Sequence, residues 1–301
     1  MPQPNHRAGG RPGDRAAPSA RIARGIYKHK KNQAPSILLS QRNIAQTLTD
    51  SVKVNMITRT AEEATQARID ALGPEFGPLF RHIETDLYSL RILWRVYVAF
   101  YGTSKERVEL LNASSGTTAF LLENTLFDSA ILSLCRMTDP PSGQRGQSTN
   151  TTIKRFPHYL EDHSNLESLE RLIDDAHNKT SFARSWRNKK IAHSDYDVRQ
   201  NKAELDTASR RDVLNAIDSI ATVIRWVGHE CLDCDIITHP IQNFLNDEVQ
   251  FLEHIFLGQQ KDRDLEERSR ALLEKAEYEA AKEISKLPNW VTYRPPEKMD
   301  E

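Results

Sequence analysis

The sequence predicts an all-α fold, and three observations carry that prediction. Apolar residues recur at spacings of three and four from about residue 59 onward. Capping residues and Gly/Pro stops divide these runs into helix-sized lengths. No stretch alternates apolar and polar residues as a half-buried strand does. The chain has 301 residues, 38% hydrophobic and 28% charged, which suits one large or two smaller domains with long solvated helices.

Thr60 caps a first helix that runs through Ala71 and stops at Gly73-Pro74. The next spans about residues 77–101, with Ile83, Leu87, Leu90, Trp94, Val98 and Tyr101 on one side. Gly102-Thr103-Ser104 ends it, and Ser104 opens a shorter helix with Val108 and Leu111 inward. A helix over 117–137 carries Phe120, Phe127, Ala130, Ile131 and Leu134 on one side until Pro140-Pro141-Ser142-Gly143 breaks it. The polar stretch 139–151 is a loop.

Thr151 or Thr152 starts a short helix to Leu160. Ser164-Asn165-Leu166-Glu167 has the form of a capping box for a helix with Leu166, Leu169, Leu172 and Ile173 inward. Asn178 stops it, and Thr180 or Ser181 caps the next. Ser209 and Asp212 open a helix with the clearest stripe in the chain: Val213, Ile217, Ile220, Ala221, Ile224 and Val227. Another is expected over 241–256, followed by a charged helix over 261–286, solvated or bound to a partner, and a loose end beyond Pro288. Trp94, Trp186 and Trp226 fall on apolar sides and read as core. Three segments result: a basic arm (1–57), a helical bundle (58–245) and a C-terminal helical extension (246–301).

The formal net charge of −1 is unevenly spread. Residues 1–60 hold eleven Lys/Arg against Asp14 and Asp50, a net of +9 that leaves −10 for the rest. Such asymmetry fits a nucleic-acid contact, but the arm is also rich in Pro and Gly and reads as disordered. Met56, where helical patterning begins, is an alternative start. No uninterrupted apolar run approaches the ~20 residues of a membrane helix. Cys135, Cys231 and Cys234, with no secretory signal, make a reducing cytoplasm the expectation.

No phosphate-binding loop, dinucleotide fingerprint, His-Glu-x-x-His or Gly-x-Ser-x-Gly occurs. His229, Cys231, Cys234 and His239 have the donor types of a tetrahedral zinc site. Their bland reading is a helix end whose small cysteines pack on the bundle. His82, His158, His163, His177 and His254 stand singly among polar neighbours and read as surface or satisfied histidines.

The richest stretch is Ser181-Phe182-Ala183-Arg184-Ser185-Trp186-Arg187-Asn188-Lys189-Lys190-Ile191-Ala192-His193-Ser194-Asp195. Phe182, Trp186, Lys189 and His193 would share one face of a regular helix. Arg187 and His193 would lie about 120° apart on it, so one helix does not aim both at one atom. Two copies across a two-fold axis would bring an Arg and a His from each chain into one cleft. The bland reading is a basic helix paired with the acidic body. Against it stands the chemistry: histidine serves as base or acid near neutrality, and arginine grips two phosphate oxygens.

The run Arg187 to His193 resembles the signature of the HEPN superfamily, an arginine and a histidine separated by four to six residues. Ala192-His193-Ser194-Asp195 is similar to the Ala-His-x-Asp ending of its abortive-infection U-type branch. So is the upstream run from Phe127 to Pro140, which ends Cys135-Arg136-Met137-Thr138-Asp139-Pro140. The resemblance covers about residues 75–235 and implies an antiparallel helical bundle. It further implies a homodimer that cleaves RNA without metal or cofactor, as a toxin with a possible antitoxin partner or in phage defence. Arg187 and His193 would be catalytic, Asn188 would bond the phosphate or orient the histidine, and Asp195 would hold the imidazole or cap the helix. Arg184, Lys189 and Lys190 would bind RNA. The alternative is a non-catalytic nucleic-acid-binding or assembly module, since many HEPN domains keep the fold without cleaving. In HEPN toxins paired with a nucleotidyltransferase, a modified tyrosine follows the histidine after one residue; here Tyr196 follows after two.

Overall fold

Helix starts and stops fall largely where the side-chain chemistry puts them. The computed structural model describes residues 60–143, 149–193, 195–200, 202–239 and 247–292. The basic arm expected over 1–57 lies outside these residues. Helix α1 (Ala61–Leu72) opens on a reciprocal cap. The Glu63 amide donates to Thr60 Oγ1 at 3.2 Å, and the Thr60 amide donates to the Glu63 carboxylate at 2.8 Å. It ends at Gly73, whose φ of 87° a side chain would resist. Helices α2 (Phe76–Tyr101) and α3 (Lys105–Thr138) follow. A non-helical Ser115 (φ −164°, ψ 91°) divides α3 into the two helices the sequence separates.

After the loop come a 3₁₀ turn (Ile153–Arg155), α4 (Phe156–Tyr159), α5 (Leu166–Lys179), α6 (Ser181–Trp186), a π turn (Arg187–Ile191) and α7 (Tyr196–Arg199). Then come α8 (Arg210–Leu232), α9 (Asp247–Glu274), α10 (Tyr278–Ile284) and α11 (Asn289–Thr292). Among the described residues there is no strand, only an isolated bridge between Ser142 and Thr149. The described residues form two compact units, one of 60–90 with those of 131–238, the other of 91–130 with those from 239 to 292.

In the first unit α8 packs along α5 and also meets α1. Ser209 and Asp212 form the expected capping box, and Val213, Ile217, Ile220, Ala221, Ile224 and Val227 are all buried. The opposite wall is aromatic. Phe76 meets Phe156 edge-on at 5.2 Å and stacks on Tyr159 at 5.4 Å, and Phe80 lies 5.9 Å from Phe156. Where α1 turns into α2, a Cβ on Gly77 would stand 2.5 Å from the Arg68 carbonyl oxygen, so only glycine permits the approach. Buried Glu84 is matched there by Arg68 at 2.8 Å and Arg81 at 3.0 Å.

One expected cap does not form. The side chain of Asn165, the residue before α5, makes no capping bond, and its amide instead donates to His163 Nδ1 at 3.1 Å. The neighbouring imidazole takes the local donor, and α5 rests on its buried face of Leu169, Ile173 and Ala176.

In the second unit Ala99, Phe100, Leu111, Ala119 and Leu252 form a cluster, with Phe100 stacked on Phe251 at 5.4 Å. Gln259 Nε2 donates to the Leu110 carbonyl at 3.0 Å and to Ser114 Oγ at 2.8 Å. Phe120, expected inward, is 51% exposed. Its neighbour Ala119 takes the buried position, and adjacent residues on a helix point ~100° apart. Helix α9 runs unbroken from Asp247 to Glu274, joining the helix expected to end near Phe256 to the charged helix expected from 261. By length and apolar content α3 alone among the described helices would suffice to cross a membrane; it also supplies buried Phe127, Ala130, Ile131, Leu134 and Met137.

Candidate functional site

The site grows from the C-terminal end of α3. Thr152 Oγ1 lies 3.0 Å from the Met137 carbonyl and 2.8 Å from that of Asp139, and it accepts the Lys154 amide at 3.3 Å. That hydroxyl fastens the 3₁₀ turn to the end of α3. Thr138 and Thr180 are fully buried, with hydroxyls 3.0 Å apart. Arg184 Nη1 donates to both, at 3.3 Å and 2.9 Å, and its Nη2 donates to the His177 carbonyl. One half-buried guanidinium thus joins α3, α5 and α6 through neutral oxygens.

Beyond buried Trp186, whose Nε1 donates to the Asp206 carbonyl at 2.8 Å, the helical ladder widens. The Ala192 amide donates to the Arg187 carbonyl at 2.8 Å, an i→i+5 bond that closes the π turn. Such turns are uncommon and occur often at functional sites. They change the geometry expected of a regular helix. His193 lies past the turn, exposed, and does not continue the face of Phe182 and Trp186.

Arg187 turns toward α3. Its Nη1 meets the two Asp139 carboxylate oxygens at 2.8 and 2.7 Å, and its Nε donates to Asn188 Oδ1 at 3.1 Å. Asn188 therefore orients the arginine. Asp195 resolves to a cap: its Oδ1 accepts the Asp197 amide at 2.9 Å and the Val198 amide at 3.1 Å, opening α7. Lys190 Nζ sits 4.6 Å from the Trp186 ring centroid, and Lys189 Nζ donates to the Glu204 carbonyl at 3.3 Å. Tyr196 is 69% exposed.

The electrostatics around Arg184 are lopsided. Burial, then Arg184, pulls the Lys154 ammonium below its ordinary pKa. Burial, then Arg184 and Lys154, does the same to His177, against a backbone bond at Thr138 and the charge of Asp174. Burial also lowers Arg184. The Cys135 thiol is pushed up to about 11 by burial, although Arg187 and Arg184 favour its thiolate. It is an inert packing group at neutral pH.

A stability prediction follows from His177. The unfolded chain takes up its proton near pH 6.5, but the folded imidazole resists it until the pH is lower. Stability should therefore fall as pH drops below about 6.5. The urea midpoint should decline between pH 7.5 and 5.5, and His177→Gln should decline less steeply over that window.

The zinc candidates are not brought together. His229 and Cys231 both lie on α8, two residues and so ~200° apart around its axis. His229 Nδ1 pairs with Glu230 at 3.1 Å, and Cys234 is exposed just after the left-handed Asp233 that ends the helix. Among the described residues no three His, Cys, Asp or Glu side chains converge as a metal site.

Reading the sequence missed Asp139, Thr138, Thr180, His177 and Lys154. A signal existed for the first two, which close the α3 motif, but nothing local ties Asp139 to an arginine 48 residues away. A family model described as HEPN_AbiU2: AbiU2 matches residues 73–252, more than half of the chain. No curated protein and no solved structure matches.

Proposed function

The chain belongs to the AbiU2 family of HEPN domains, and we propose that it is a metal-independent endoribonuclease acting as a homodimer in abortive infection or as a toxin. The observation that carries this reading is the Arg187–Asp139 pair, set at the head of a π turn with exposed His193 beyond it. Asp139 and Asn188 occupy Nη1 and Nε of the guanidinium, which fixes its plane. Nη2 has no partner among the described residues and is free to meet a phosphate oxygen.

The chemistry needs three acts: removal of the 2′-hydroxyl proton, relief of negative charge on the phosphorane, and protonation of the departing 5′-oxygen. A histidine performs the first or third, with a pKa suited to neutral pH. Arginine performs the second without losing its own charge. Two chains related by a two-fold axis supply a base and an acid, and a positioned donor for each. Lys190, held over Trp186, and Lys189 add positive charge beside the same turn.

One observation favours the other reading, a non-catalytic RNA-binding or assembly module: Asp139 already neutralises Arg187. Incubation of purified protein with total RNA in EDTA separates the two. The ribonuclease should leave fragments with 2′,3′-cyclic phosphate and 5′-hydroxyl ends. Intact RNA, or cleavage that stops when metal is chelated, would overturn the proposed chemistry.

A further inference from the structure

Asp139 stands where α3 has to stop. Pro140 and Pro141 follow it, and a residue before proline is pushed out of the helical region. The chain there is also held from the far side of the loop. Thr152 Oγ1 lies 2.8 Å from the Asp139 carbonyl, Asn150 Nδ2 donates to the Pro140 carbonyl at 2.8 Å, and the Asn150 amide donates to the Pro141 carbonyl at 2.9 Å. The side chain so placed is 19% exposed, and that of Arg187 is 26% exposed. Both carboxylate oxygens crowd one nitrogen, Nη1, at 2.8 and 2.7 Å. The stronger carboxylate–guanidinium pairing runs in parallel from two nitrogens to two oxygens. Asp139 instead offsets the charge of Arg187 and leaves Nη2 without a partner among the described residues.

We infer that Asp139 is a positioning residue: it holds Arg187 in line for the reacting phosphate and, by neutralising it, keeps the grip on uncleaved RNA loose. The inference rests on the ribonuclease reading. The phosphorane is more negative than the phosphodiester from which it forms. An arginine whose charge is already offset draws the phosphodiester weakly and gains more from the phosphorane. Only contacts that strengthen on the way to the transition state speed the chemical step. Orientation comes from the same pair. With Asp139 on Nη1 and Asn188 on Nε, the guanidinium keeps one free edge and one plane, and a donor held in place helps more than one that must find its place. Loss of the carboxylate should therefore move rate and affinity in opposite directions. A residue that served only the fold would lower both.

The test measures binding and single-turnover cleavage in the full-length chain, with a fluorescein-labelled ten-nucleotide oligouridylate. Binding is read in protein that also carries His193→Ala, so that RNA stays intact, and cleavage with His193 in place. Asp139→Asn should bind about fivefold more tightly, roughly the worth of a part-exposed ion pair. It should also steepen the slope of log K against log salt by about 0.7, the value for one further phosphate contact on a single strand. Its cleavage rate at saturating protein should fall about 10²-fold, as misplacement of a catalytic group does. Asp139→Ala should move both quantities the same way, so the decision does not hang on how one variant folds. Asp139→Glu, which keeps the charge, should hold the affinity and slope of the parent. Cleavage at the wild-type rate in Asp139→Asn would overturn the inference, and so would binding that is unchanged or weaker. If wild-type protein cleaves nothing, the ribonuclease reading falls and takes the inference with it. If it cleaves and Asp139→Asn cleaves equally well, the inference alone is lost.

Discussion

His193→Ala is expected to lose about 10²–10⁴-fold in RNA cleavage rate, the usual worth of a general acid or base, with no change in Tm. The two halves of that expectation have separate causes. An imidazole can both take up and release a proton in catalysis, and Arg187 cannot replace it in that role. The side chain is exposed, so its removal opens no cavity. Single-turnover cleavage of a short RNA, beside a melting curve, reads both. A variant that still cleaves would move the catalytic role away from His193. One that melts early would mean the residue supports the fold instead. Arg187→Lys should also cleave poorly, since an ammonium keeps the charge but cannot reproduce the planar contacts to Asp139 and Asn188.

Phe156→Ala is expected to cost about 3–5 kcal/mol, the range for emptying a buried aromatic site. The ring is fully buried and wedged between Phe76 and Phe80. Neither neighbour can fill the gap easily, because both belong to α2. Loss of aromatic edge contacts adds to the loss of buried area. Urea unfolding should show a lower midpoint with the slope kept, the mark of lost stability without a changed denatured state. The effect should reach the site too. Phe156 directly follows the 3₁₀ turn, whose Thr152 cap holds the end of α3. RNA affinity should therefore drop at urea concentrations that leave the wild type folded.

Periodicity made the bundle legible. Helix α8 announces itself through six inward residues at helical spacing, and its capping box is written in Ser209 and Asp212. Helix α1 is equally plain from Thr60 and Gly73. Local rules failed where the helix took another start or turned another face. The cap position of α5 is Asn165 and not Ser164, and Ala119 holds the buried position expected of Phe120. The family resemblance pointed to two segments, α3's end and the run at Arg187, that touch in the structure. It did not say how they touch. The Arg187–Asp139 contact is a matter of tertiary packing between distant residues. The wide turn was invisible as well, because no residue preference distinguishes an i→i+5 bond from a regular one.

The π turn also bears on how spacing along this stretch translates into angle. On a rigid screw each added residue swings everything after it by ~100°. A helix that loosens just after the arginine and then ends breaks that strict accounting. The histidine is carried on chain that has left the screw, with Asp195 re-anchoring the path at the start of α7. The Asp195 amide donates to the Lys189 carbonyl at 3.0 Å, so the chain past His193 is fastened back to the turn by a bond that a regular helix does not make. The angle between the two side chains is therefore set by this irregular path and not by a count of residues along a screw.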